Sequence, residues 1–328
     1  MIDVKRLVLL RDFAEYGTVT AVAELHGVTP SAVSQQLRIL ETEAGAALLR
    51  REGRMVRLTA AGSTLAAECE QVLAALERAK GAVRALDGEV GGELMIGCLP
   101  SGLETLAAPL ASSLVRAHPG LRVRIVEAEP EEALPLLRQR TLDVALTYRY
   151  SHLGMPLPEG LVAQALFDDP LVLAVPEELG EIDGLAALRH QPWITTPAPS
   201  ACRDVMTHAC QSAGFTPVIE HSYRDLRAAL ALVAAGLGVT ILPMMLCRTP
   251  PRGLALITLP GKGRTIEAVV RAGTESHPAI AAALHHLSVS ESAVVPDPGS
   301  GTGALPAGRR GTAGPVGPPT GGDVGSAS

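Results

Sequence analysis

Aromatic side chains are scarce: 328 residues include one Trp, four Tyr and three Phe. With 47% hydrophobic residues the cores must be built from Leu, Val, Ile and Ala. Net positive charge is missing as well, the formal charge being −6, so any positive patch that meets nucleic acid has to be local. The five cysteines, Cys69, Cys98, Cys202, Cys210 and Cys247, are odd in number and widely spaced. With no C-x-x-C pair they form neither a disulfide framework nor a zinc ribbon, and a reducing cytoplasm suits them. No apolar run approaches the ~18–20 residues of a membrane span. The first residues, MIDVKRLVLLRDFAEYG, are too charged for a signal-peptide apolar region. Motifs of catalysis are absent too: there is no G-x-S-x-G elbow and no P-loop. Gly236-x-Gly238 follows a predicted helix and precedes a strand, the reverse of a dinucleotide fingerprint. His285 and His286 are adjacent, so on a helix they point apart and make a poor metal site. The expectation is a cytoplasmic protein that is not an enzyme, with no cofactor, no metal and no membrane partner.

What is present begins with a helical pattern. Leu7, Leu10, Phe13 and Ala14 share one face before Gly17. Thr18 can cap a second helix reaching about His26. After the turn Gly27-Val28-Thr29, Thr29 can cap a third helix with Pro30 at its first position, where the missing N–H costs nothing. Two short helices around a three-residue turn containing Gly form a helix-turn-helix pattern. Helical spacing alone fits any small bundle; the polar face of the third helix decides. Ser31, Ser34, Gln35 and Arg38 lie at i, i+3, i+4, i+7, opposite Val33, Leu37 and Leu40. Short hydrogen-bonding side chains followed by Arg suit base edges and phosphates in a major groove.

Residues 48–58 place Arg50, Arg51, Arg54 and Arg57 around Gly53, which reads as a basic β-hairpin wing. Thr59 then caps a long helix to about Asp87. Its apolar residues Leu65, Cys69, Val72, Leu76, Ala79, Val83 and Leu86 step by 4 and 3, a seam that packs against another helix. A partner within the same chain is possible, but a helix this long between two domains favours a second copy of itself. Gly88–Gly92 marks a linker. Beyond it, short strands, among them Leu161–Phe167, Pro170–Val175, Ala255–Leu259 and Thr265–Arg271, alternate with helices. The helices include those predicted over Gly102–Ala117, Ala201–Ala213 and Asp225–Ala235, the last two with no strand read between them. The alternation implies α/β domains with largely parallel sheets. Residues 290–328 are Gly, Pro, Ala, Ser and Thr with few large apolar side chains, and read as a disordered tail.

Four ordered stretches resemble the LysR-type transcriptional regulators: Phe13–Glu41 (the helix-turn-helix), Arg57–Gly62 (the wing-to-linker junction), Gly92–Gly97 (the first effector-domain strand) and Val233–Pro243 (a glycine-containing helix exit into a strand). The chain departs from the family pattern at Val22, where Ala is usual, and at Leu49, where Phe is common; both bear on local packing. The resemblance covers roughly residues 2–288. It implies an α/β protein with a winged helix-turn-helix at 1–58, a dimerising linker helix at 59–88 and an effector-binding domain at 89–289. That domain would be of the type 2 periplasmic-binding-protein kind, with subdomain I at 91–164 plus 266–288 and subdomain II at 165–265. Crossovers would fall near Ala165–Asp169 and Gly261–Thr265, and a ligand cleft would lie between the subdomains. The implied partners are double-stranded DNA, a small effector and further copies of the chain as a homodimer or tetramer.

A ligand in such a cleft needs convergent polar groups in an apolar pocket. Pro100-Ser101-Gly102 opens a predicted helix whose unpaired N–H groups suit an anion such as a carboxylate. Ser200 opens another helix after the strand-like Trp193–Thr196, which brings in Thr195. By resemblance these two helix starts face each other. Thr147 and Tyr148 end a strand on the same side, and Tyr223 precedes a helix. The plainer alternative is that Ser101 and Ser200 only cap their helices. Peroxide-sensing members of the family carry two cysteines in this region. Cys210 matches the second position, but the first falls on Ala201, with Cys202 one residue off. Eight positions on a helix separate Cys202 and Cys210 by ~12 Å, and a disulfide needs Cα atoms within about 7 Å. Buried structural thiols fit better than a redox pair. A solute-binding transport component would lack the N-terminal DNA module, and an enzyme on the same scaffold would show an acid/base pair or cofactor motif.

Overall fold

The computed structural model describes residues 1–53, 55–86, 90–150, 156–247, 250–289 and 303–304. Arg54 of the wing, residues 87–89 of the linker and the tail at 290–328, apart from Gly303–Ala304, lie outside the described residues.

In chain order come α1 (Val4–Tyr16), α2 (Val19–His26), α3 (Pro30–Ala44), the hairpin strands β1 (Leu49–Glu52) and β2 (Met55–Leu58), and α4 (Ala60–Ala85). The effector region follows with β3 (Gly92–Cys98), α5 (Ala108–Ala117), β4 (Leu121–Glu127), α6 (Pro130–Arg138), β5 (Val144–Tyr150) and β6 (Leu161–Pro176). Next are β7 (Pro192–Thr195), α7 (Ala201–Ser212), β8 (Val218–Ser222), α8 (Leu226–Ala234), β9 (Thr240–Pro243), β10 (Leu254–Arg271) and α9 (Pro278–Val289). The contacts divide the chain into two units. One holds 1–172, 242–250 and 261–289, and the other 173–241 and 251–260.

The first helices start where short oxygen-bearing side chains can satisfy orphan N–H groups. Thr18 accepts from the Ala21 N–H, Thr29 from Ala32 and Thr59 from Gly62. Leu10, Phe13, Val22, Val33, Leu37 and Leu40 close the small core beneath them, each no more than 2% exposed. Cys69 and Leu73 of α4 belong to this same core. That corrects the long seam: Cys69 is fully buried in its own chain, while Val72, Leu76, Val83 and Leu86 further along are exposed. A heptad spacing identifies a packing face but not the neighbour that covers it.

On the effector side of the first unit the strands run β4-β3-β5-β10. β3 is parallel to both β4 and β5, whereas β10 is antiparallel to β5, with Arg264 opposite Tyr150 and Val270 opposite Val144. The sheet is therefore mixed, because the return strand needs no crossover helix. Leu94, Ile96, Leu114, Leu146, Ile266 and Ile280 form its core. β6 is one continuous strand where two were predicted around Asp168-Asp169-Pro170, and β10 likewise joins two predicted strands. The helix predicted from Gly102 begins as α5 only at Ala108, after a 3-10 turn (Pro100–Gly102) and a π turn (Leu103–Ala107). In the second unit β7 pairs with β8 in parallel, and Trp193 is fully buried with its indole N–H donating to the Leu188 carbonyl at 3.3 Å.

Candidate nucleic-acid interface and effector site

Packing Val33, Leu37 and Leu40 inward turns the opposite face of α3 to solvent. Ser31, Gln35 and Arg38 are exposed and Ser34 is half-buried. Thr29, also exposed, caps the helix and lies 3.0 Å from the Ser31 hydroxyl, with Pro30 in the first turn. The wing pairs Arg50 with Arg57 and Arg51 with Val56. Arg50 and Arg57 are both drawn onto Glu52, at 2.8 and 3.2 Å, while Arg51 has no ion pair among the described residues. Glu41, a residue that sequence reasoning passed over, ties α3 to the wing. Its Oε1 accepts the N–H groups of Leu48 and Leu49 at 2.9 and 3.0 Å. One carboxylate thus sets the strand's position relative to α3, and its place on the helix's last turns next to a basic run was the available signal.

In the effector region of the first unit, Ser101 is 8% exposed. Its hydroxyl does not cap a helix; it accepts from the Arg264 guanidinium at 2.7 Å. The unpaired N–H groups expected at an α-helix start are replaced by the two tighter and wider turns, and Gly102 N–H donates back to the Leu99 carbonyl. Arg264, 4% exposed, also donates to Asp169 at 3.0 Å and lies 4.7 Å from the centre of the Tyr148 ring. The other oxygen of Asp169 accepts the Met245 N–H at 2.9 Å. Burial raises the Asp169 carboxyl above its usual range, opposed by Arg264 and that N–H. Tyr148 donates to Glu129 at 3.1 Å; burial raises the Glu129 carboxyl, against this hydrogen bond. Thr147, beside Tyr148 on β5, is buried. The structure therefore joins Ser101 and Tyr148 through a residue the sequence did not flag, Arg264, 163 positions from Ser101.

The second unit holds the other three candidates. Ser200 stands at the start of α7 without capping it, and its hydroxyl lies 2.5 Å from that of Thr196. Thr195 is buried in β7 and its carbonyl accepts the Tyr223 N–H at 3.1 Å; Tyr223 is buried as well. Cys202 and Cys210 are on the intact helix α7, Cys202 half-buried and Cys210 fully buried, both as thiols.

A capped three-helix unit with a β-hairpin wing, followed by a long helix and an α/β effector domain, defines a helix-turn-helix regulator. Residues 4–63 match the family described as "Bacterial regulatory helix-turn-helix protein, lysR family", and residues 87–289 match the "LysR substrate binding domain". The chain belongs to the LysR family of DNA-binding transcriptional regulators. It is 32% identical over 242 residues to the HTH-type transcriptional regulator ShiR of Corynebacterium glutamicum (strain R), covering 69% of this chain and 80% of that protein. It is 27% identical over 272 residues to a probable hydrogen peroxide-inducible genes activator of Mycobacterium avium, covering 80% and 85%. Among solved structures, a full-length OxyR variant from Pseudomonas aeruginosa shares the fold with a TM-score of 0.56 at 22% identity, covering 90% of this chain and 96% of that one. Full-length CbnR complexed with its target DNA does so with a TM-score of 0.51 at 23% identity, covering 88% and 100%. Among the described residues no helix is long and apolar enough to cross a membrane.

Proposed function

We propose that this regulator acts in the cytoplasm as a homodimer, or a dimer of dimers, that reads double-stranded DNA through Ser31, Ser34, Gln35 and Arg38. Thr29 and Pro30 fix the start of the reading helix, and Arg51 with Arg54 approaches phosphates or the minor groove. The exposed apolar residues Val72, Leu76 and Val83 of α4 support pairing with a second copy. A small anionic effector, a carboxylate being one example, binds in the effector domain beside Ser101, Gly102, Thr147 and Tyr148. Thr195, Ser200 and Tyr223 belong to the same reading.

The buried guanidinium of Arg264, 2.7 Å from the Ser101 hydroxyl, carries the effector proposal. A cation held away from water acts strongly on a nearby anion. It is matched by Asp169, so an incoming carboxylate has to share Arg264 with that residue. The test is a thermal-shift screen of small carboxylates, neutral analogues and amines on the full chain, repeated with Ser101→Ala. Carboxylates should stabilise the wild type and lose at least tenfold in affinity with Ser101→Ala. Stabilisation by amines or neutral compounds alone, or an unchanged response in the variant, overturns the reading.

A further inference from the structure

The long helix α4 carries a second stripe that the heptad seam conceals. Glu70, Ala74, Glu77, Gly81 and Arg84 also step by 4 and 3. Each of them meets the effector domain of its own chain, within the first unit. Arg138, at the end of α6, pairs with Glu70 at 3.2 Å and also with Glu15 of α1. Arg140 pairs with Glu77 at 2.7 Å, and Arg84 donates to the His277 ring at 2.8 Å. The side chains of Arg138 and Glu70 are 11% and 14% exposed.

Backbone shape is fitted to the same contact. Gly273 has φ +86°, and a Cβ there would run into the Ala74 main chain; Gly160 has φ +78°, and a Cβ there would strike the Glu70 carboxylate. Gly81 leaves a Cβ only 3.2 Å from the Ser276 hydroxyl. Arg140 holds φ +64°, the one non-glycine residue in the left-handed region among the described residues. Such a conformation persists where the surroundings over-determine it. Two arginines facing three carboxylates, with glycines wherever the surfaces touch most closely, make a matched interface and not a chance set of surface ion pairs.

We infer that the end of α6 and the β10–α9 turn form a clasp on α4 and α1, and that Arg138 is its closing residue, fixing the DNA-reading helices to the effector domain of the same chain. Arg138 lies on the effector side yet holds Glu15 of the helix-turn-helix and Glu70 of the linker helix at once. A change in the effector domain that moves α6 therefore reaches the reading module without passing through a partner subunit. The inference does not depend on where the effector binds.

The experiment is hydrogen exchange of the full-length protein at one fixed concentration, comparing wild type, Arg138→Gln, Glu70→Gln and the double variant. Binding of a random-sequence DNA duplex at low salt is measured alongside. Each single variant should speed exchange about fivefold or more in the peptides spanning 10–16 and 66–78, and leave α8 unchanged as proof of folding. The double variant should add little, because both changes open one clasp. Duplex affinity should fall threefold or more, since the paired reading modules lose their fixed placement. Arg140→Gln, whose ion pair among the described residues is with Glu77, should loosen α4 but not α1. Wild-type exchange in Arg138→Gln, independent multiplying effects in the double variant, or unchanged duplex affinity overturns the inference. Should Arg138→Gln misfold, Glu15→Gln, at a side chain 35% exposed, must by itself speed exchange in 10–16, and failure to do so counts against it.

Discussion

Removing the carboxylate of Asp169 while leaving Arg264 in place tests how the effector region balances its charge. Asp169 is 2% exposed and Arg264 4% exposed. Arg264 is 3.0 Å from the Asp169 carboxylate, and the Met245 N–H relies on that carboxylate as acceptor. Breaking a buried pair from one side typically costs about 3–5 kcal/mol, because an uncompensated charge stays behind. For a domain of roughly 200 residues each kcal/mol moves Tm by about 2–4 °C, so Asp169→Ala should lower it by roughly 6–20 °C. The double change Asp169→Ala with Arg264→Met should recover most of that, since apolar replacement of both partners is often near neutral. Asp169→Ala also removes a carboxylate beside Arg264, whose place a small carboxylate such as acetate can take. At 100 mM acetate and a Kd of about 10 mM, binding would return about 1.4 kcal/mol, or roughly 3–6 °C. The assay is thermal unfolding by circular dichroism at constant protein concentration, with chloride of equal ionic strength as control. A loss under about 1 kcal/mol would refute a buried, mutually dependent pair. So would rescue by chloride equal to that by acetate.

The reading helix and wing should separate in their effects. Gln35→Ala should lose about 1–3 kcal/mol on a specific site and relax sequence preference; Arg51→Ala should weaken specific and scrambled duplexes alike and reduce the salt slope by about one, as salt titrations of both duplexes would show. Native protein treated with iodoacetamide at pH 8 should gain one adduct by mass, at the half-buried Cys202, and five when unfolded. Burial pushes the thiols of Cys69, Cys98 and Cys247 up to about 11, 12 and 12 and leaves almost no thiolate, so comparable native labelling at any of them would contradict their burial. Leu76→Glu with Val83→Glu should weaken self-association by at least about a hundredfold, from ~1.5–3 kcal/mol per buried apolar side chain; sedimentation showing unchanged dimers would place the interface elsewhere.

Legibility in the sequence followed the range of the interaction. Thr18, Thr29 and Thr59 act on N–H groups three residues away, so their caps could be read directly. The outward stripe of α3 follows from its apolar face for the same reason. The start of α5 was misplaced, although Pro109 in its first turn was a usable marker. Strand β8 was missed because Val218–Ser222 alternates exposed and half-buried residues with no apolar run. Asp168-Asp169-Pro170 looked like a break, yet β6 continues because Asp169 turns inward to Arg264, 95 residues later. Contacts of that separation, like Arg138 with Glu15, leave no local pattern.

The two stripes of α4 give the helix a restricted set of tolerable lengths. They share a seven-residue repeat and are displaced by two residues, about 200° around the axis at 100° per residue. A one-residue insertion between Leu73 and Ala74 would turn everything beyond it by about 100° and spoil both faces together. Insertion of seven residues would return both to within about 20° and move the effector domain away by ~10.5 Å. Linker length in this regulator is therefore restricted: an insertion keeps the exposed apolar face and the docking face in phase only near a whole number of turns, as about seven or eleven residues do, and each such step would leave Glu15 out of reach of Arg138.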